Sequence, residues 1–187
     1  MIIKDFWKHL GQTQNNIIRV LHVFIAFLIV SQIIDSNFMS IHYHSHKLNI
    51  GSWYHIVSGI LITILFIILL FKTFYKRGFK HFYSYIYGDF EQMKLDLKSL
   101  LAFKLPVAKP KGLAASVQGL GLGALTIVIT SAYCWLIAWL SQSILAPDLQ
   151  SFHKSITILI EIYIIAHGCM GLLHFLIDRY FPNYIQK

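Results

Sequence analysis

Four stretches of this 187-residue chain are long and apolar enough to cross a lipid bilayer, and that leaves the backbone little choice. Hydrocarbon offers no water to a free N–H or C=O, so a spanning segment either pairs its own backbone groups as a helix or closes into a barrel. The stretches cover about residues 17–34, 53–71, 113–140 and 155–177. A helix needs about 20 residues to cross and a barrel strand only about 10, which selects helices. With 56% hydrophobic and 13% charged residues, nothing is left over for a water-soluble domain. The expected architecture is an all-α integral membrane protein, a four-transmembrane-helix bundle formed by residues 1–187 as one domain.

Charge sets the expected orientation. All but Lys47 and Lys154 of the 16 lysines and arginines fall in the N-terminal segment, between Lys72 and Lys111, or at the C-terminus. The positive-inside rule then puts both termini and the long middle connection in the cytoplasm. A formal net charge of +8 suits anionic lipid headgroups here, because the bases flank spans; nucleic acid is not expected as a partner. The first span carries Arg19 and His22 near its start with no clean small-residue cleavage site after it, so it is expected to be retained. Cys134 and Cys169 sit alone inside spans and are expected to be small packing residues, not a disulfide.

The second and third spans are joined by too much chain for a turn. Phe90, Met93, Leu97, Leu100 and Leu101 recur at helical spacing, and Asp89 with Gln92 is placed like a capping box. This predicts a short amphipathic helix over residues 89–101, either lying on the cytoplasmic membrane surface or packed on the bundle. Pro106 and Pro110 interrupt regular structure before the third span. That span opens with Gly119, Gly121 and Gly123, where a neighbouring helix or a flat cofactor can approach closely.

Four histidines lie in or at the rims of these spans: His22, His55, His153 and His167. Imidazole in lipid is costly unless bonded. His153 and His167 are fourteen residues apart on one helix. Fourteen steps of about 100° return the second ring to within roughly 40° of the first, about 21 Å along the axis. With the topology above, His55 and His153 match in depth near the outer face, and His22 and His167 match near the inner one. Zinc sites gather three or four donors at one point, whereas haem iron needs two axial donors and its macrocycle fills apolar space between helices. The pattern therefore predicts two metal centres, each a haem held by two imidazoles. Arg19, one turn before His22, is a candidate partner for a haem propionate. No Cys-x-x-Cys-His occurs, so the haem should be non-covalent haem b.

These residues resemble a known family. Arg19-Val-Leu-His22, His55 with Gly59, and His153 with His167 are similar to the four-helix di-haem cytochromes of the bacterial cytochrome b561 and nickel–iron hydrogenase b-type subunit superfamily, a likeness that extends to the membrane subunits of formate dehydrogenases and thiosulfate reductases. The stretches Tyr87-Gly-Asp-Phe-Glu-Gln92 and Gly112–Gly123 further resemble bacterial proteins with a cytochrome b/b6 domain. The resemblance covers essentially the whole chain. It implies the same ligand pairing, a bacterial inner membrane location, and electron transfer between quinone and a periplasmic cytochrome c or redox enzyme subunit. Two imidazoles per iron leave no open axial position, so single-electron carriage is expected and not substrate chemistry.

His174 lies seven residues beyond His167 on nearly the same face, a candidate for a quinone hydrogen bond, proton transfer or a propionate contact. Glu161 lies between the two ligands of the fourth span, about 80° around the helix from His153, so it is not expected on the same iron. The string His42-Tyr-His44-Ser-His46 reads as a polar rim loop for partner docking, or a transition-metal site. His9 and His81 carry no signal beyond polarity. Two other functions fit the composition: a proton-coupled transporter using the intramembrane His and Glu, and a structural anchor for a peripheral enzyme. Broken helices or internal repeats would mark the former, and no repeat is visible.

Overall fold

The computed structural model describes residues 2–13, 15–43 and 47–181, and its long elements are helices. They are α1 (Ile2–Thr13), α2 (Asn16–Asp35), α3 (Ile50–Arg77), the single turn α4 (Phe79–Phe82), α5 (Glu91–Leu101), α6 (Leu113–Leu140) and α7 (Ala146–Tyr180). Among the described residues the only strands are β1 (Ile41–His42) and β2 (Lys47–Leu48), which pair antiparallel. Four helices are long and apolar enough to cross a membrane: Asn16–Phe38, Ile50–Arg77, Leu113–Leu140 and Ala146–Tyr180.

Three of the helices outrun their apolar stretches and α6 matches its own, because helices end at breakers, not where hydropathy falls. The Asn15 side chain caps α2 by accepting from Ile17 N at 2.9 Å. Gly78 (φ 76) ends α3 and Gln142 (φ 56) follows α6, both in the left-handed region that halts a helix. Pro147 stands in the first turn of α7, where its missing N–H costs no helical bond. As a result α7 begins well before the apolar run at 155, and His153 lies two turns inside it.

By contact density the chain divides into two compact units, and the division cuts α3, α6 and α7. One unit comprises residues 1–13, 73–123 and 162–187. Here α1, which the sequence reading passed over, docks on the end of α7. Asp5 pairs with Arg179, His9 Nδ1 lies 3.3 Å from Asp178 Oδ2, and Phe6 meets Phe175 edge to face at 5.2 Å. The Phe82 side chain is fully buried, and Tyr83 donates from its hydroxyl to the Gly119 carbonyl at 2.8 Å. A Cβ on Gly119 would sit 3.0 Å from Phe82, and one on Gly121 would overlap the Tyr163 ring. Two of the three glycines thus admit aromatic side chains of the protein; beside Gly123 there is open space.

The amphipathic helix of the middle connection exists as α5, with two polar residues inward. Asp96 and Ser99 are buried, while Leu97, Leu100 and Leu101 are exposed. An apolar face turned outward suits the interfacial arrangement and not the packed one. The expected capping box does not form. Phe90 is the N-cap residue and its side chain makes no cap hydrogen bond. Asp89 instead binds Lys111 Nζ at 2.9 Å, and Gln92 donates to Asp96 Oδ1 at 2.7 Å. Asp96 in turn accepts from Leu113 N at 2.8 Å, so a buried carboxylate from α5 caps the start of α6.

The other unit comprises residues 14–72 and 124–161. Trp135, Ala138, Trp139 and Ala146 form its buried centre, against which Ile41, Tyr43, Leu48 and Ile56 pack. Tyr43 is bonded on both sides: its hydroxyl donates to Gln150 Oε1 at 2.6 Å and accepts from Trp135 Nε1 at 3.2 Å. Asn49 caps α3 through Ser52 N at 2.9 Å and ties it to the end of α2 through Phe38 O at 2.7 Å. Cys134 and Cys169 are free and exposed, correcting the expectation that they fill packing gaps; each sits on an outward helix face.

Candidate functional site

His55, two turns into α3, and His153 of α7 line one cavity of about 540 Å³, within the range of small-molecule and cofactor sites. The walls are mostly aliphatic, with Ile29 and Ile33 from α2, Ile56 from α3 and Leu125 and Val128 from α6. Gly59, one turn beyond His55, also lines it, and a Cβ there would meet nothing within 4 Å. Its missing side chain adds open space beside the imidazole.

Each ring faces a polar side chain at Nδ1. Ser131 Oγ lies 2.8 Å from His153 Nδ1 and also 2.8 Å from the Val128 carbonyl. A hydroxyl has one proton; given to Val128 O, it leaves the oxygen to accept from His153 Nδ1–H. That tautomer carries its lone pair on Nε2. His55 Nδ1 lies 3.5 Å from Asp35 Oδ2, an ion-pair contact at the outer limit of hydrogen bonding. Gln32 donates to the His55 carbonyl at 2.9 Å and fixes the backbone beneath the ring. Two imidazoles with Nε2 available, an apolar cavity between helices and a glycine that widens it fit a haem with two axial histidines. The polar groups on the wall are few: Gln32, Gln150, Lys154, Thr157 and Glu161 are among them. Thr157 Oγ1 lies 3.1 Å from Glu161 Oε1, and Glu161 borders the same cavity as His153.

His22 is half-buried on α2, and Arg19 turns back to donate to Asn16 Oδ1 at 2.8 Å. His167 is half-buried on α7 and stacks face to face on Tyr163, with ring centroids 5.1 Å apart and planes at 11°. Both nitrogens of His174 meet backbone carbonyls, Nδ1 at 2.9 Å from Met170 O and Nε2 at 3.5 Å from Pro106 O. Of the histidines between α2 and α3, His42 Nε2 lies 3.3 Å from Ser40 Oγ; His44 and His46 lie outside the described residues. Sequence reasoning missed Asp35, Ser131 and Lys154. The available signal was a carboxylate and a hydroxyl within or ending otherwise apolar helices, but nothing in the spacing links either to a particular imidazole.

Residues 13–181 match the family described as prokaryotic cytochrome b561. No curated protein and no solved structure gives a match. The family match runs over nearly all of a chain with four long apolar helices, two of which bring His55 and His153 to one cavity. The chain belongs to the prokaryotic cytochrome b561 family and is a multi-pass membrane cytochrome that binds b-type haem and serves electron transfer.

Proposed function

We propose that this cytochrome holds two b haems and carries electrons across the bacterial inner membrane, between quinone and a periplasmic cytochrome c or redox enzyme subunit. The observation that carries the reading is the cavity shared by His55 and His153, with Ser131 hydrogen-bonded at His153 Nδ1 and Asp35 facing His55 Nδ1 at 3.5 Å. When bound, a haem supplies one exchangeable electron, and two axial imidazoles leave its iron no open position for substrate. His55 and His153 hold the iron of the outer haem through Nε2. Ser131 and Asp35 fix the orientation of those rings. The aliphatic walls exclude water, and Lys154 is placed at the cavity to meet a propionate.

For the inner haem the support is the sequence argument. The sequence order pairs His22 with His167 as its ligands, and Arg19 stands one turn before His22 as a propionate partner. His174 remains the candidate for a quinone or propionate contact near the cytoplasmic end of α7. Lysine and arginine distribution supports cytoplasmic termini.

The test is a reduced-minus-oxidised spectrum of the purified protein with its haem-to-protein ratio, beside four single His→Ala variants. Two b haems are expected in the wild type. His55→Ala and His153→Ala should each lose the same haem, and His22→Ala and His167→Ala the other. A folded wild-type protein with one haem or none, or losses that pair differently, would defeat the assignment.

A further inference from the structure

Asp35 is the last residue of α2, ending an apolar helix with a carboxylate whose side chain is only 15% exposed. A charge in such surroundings is costly without a partner. Its Oδ2 is buried without a hydrogen bond, and so is His55 Nδ1; the two atoms face each other at 3.5 Å. Among the described residues Asp35 makes no other ion pair. His153, the partner imidazole across the cavity, has a neutral hydroxyl in the same role. The two rings lining one cavity are therefore oriented by groups of different charge.

We propose that Asp35 is a positioning residue for the outer haem: its carboxylate faces the Nδ1–H of His55 as acceptor, makes that imidazole the stronger donor to iron, and lowers the midpoint potential. The inference rests on His55 being an axial ligand. The physical reason is general. A negative charge behind a metal-bound imidazole raises its basicity and stabilises the oxidised, more positive iron, whereas a hydroxyl does so weakly. Partners of this kind change metal affinity by about 10–100-fold when removed. The outer haem is thereby made harder to reduce than its aliphatic pocket alone would make it, which sets the step in potential between the two ends of the chain.

The experiment is a spectroscopic redox titration, with haem-to-protein ratios, of wild type, His55→Ala, Asp35→Asn, Asp35→Ser and Asp35→Glu. Expected is an upward shift of one midpoint in the neutral variants, in the haem that His55→Ala lacks, with the other unmoved and Asp35→Glu close to wild type. If the neutral variants lose that haem altogether while Asp35→Glu keeps it, the requirement for charge is upheld. Unshifted potentials in a haem-replete neutral variant overturn the proposal, as does loss of the haem in all three variants, which marks a purely steric role. Unchanged haem content in His55→Ala overturns the ligand assignment and the proposal with it. Loss there with unshifted potentials in Asp35→Asn overturns the proposal alone.

Discussion

Gly59 separates cofactor fit from helix stability in a single residue. Nothing in the protein lies within 4 Å of where its Cβ would be, yet it borders the cavity beside His55. Gly59→Leu improves helix propensity by about 0.8 kcal/mol and its Cβ meets no neighbour, so the polypeptide should fold as well as wild type. The leucine fills the space left for a macrocycle, and haem content should fall from two per chain towards one. Haem assay with thermal unfolding checks both halves; undiminished haem would mean that the cavity is not the cofactor site. At this scale the sequence was legible where chemistry is rare in its setting. Imidazoles in apolar helices announce themselves, and the match in depth of His55 and His153 follows from counting. Asp35 and Ser131 were illegible because their significance is a contact between helices: no periodicity links residue 35 to residue 55, or residue 131 to residue 153.

At the scale of elements, the spans and both ends of α6 were readable from the sequence but the ends of α2, α3 and α7 were not, since caps and left-handed residues decide where a helix stops. The connection before α6 shows how far such a cap can be displaced. Asp96 is 3% exposed, accepts from Leu113 N and Gln92, and presses so close that a Cβ on Gly112 would overlap it. Asp96→Ala leaves the first N–H of a spanning helix buried without an acceptor, a loss of about 1–3 kcal/mol, read as a lower unfolding temperature with unchanged haem spectrum. An unchanged unfolding temperature would show that the cap carries no weight. Asp89 adds a pH dependence. The Lys111 ammonium beside it holds its carboxyl below the usual carboxylate value. A depressed folded-state value means that its contribution is complete above the ordinary pKa of about 3.9 and fades as pH falls through the depressed one. Amide exchange at Lys111 and Gly112 should accelerate in that acid window in wild type, and should already be fast at neutral pH in Asp89→Asn. The capping box was misread because a local pattern, Asp89 and Gln92, matched a motif while both side chains had better partners in Lys111 and Asp96.

For the whole molecule, the proposed wire makes both haems necessary in series, and this is testable without knowing the physiological partner or how the protein inserts. Electron transfer between fixed centres weakens steeply with distance, so one haem near each face carries charge across about 30 Å of hydrocarbon only if both are present. Liposomes containing the protein, with an impermeant reductant trapped inside and ferricyanide outside, should reduce ferricyanide at a rate set by the protein. Direction of insertion does not matter, because a series path conducts either way. His55→Ala and His22→Ala remove different haems under the proposed assignment, yet each should drop the rate to that of protein-free liposomes. The spectrum of each variant would show the remaining haem still reducible from one side, which distinguishes a broken wire from a misfolded chain. A one-haem variant that conducts at the wild-type rate would mean that the centres are not in series, and the transmembrane reading would give way to electron transfer at a single face.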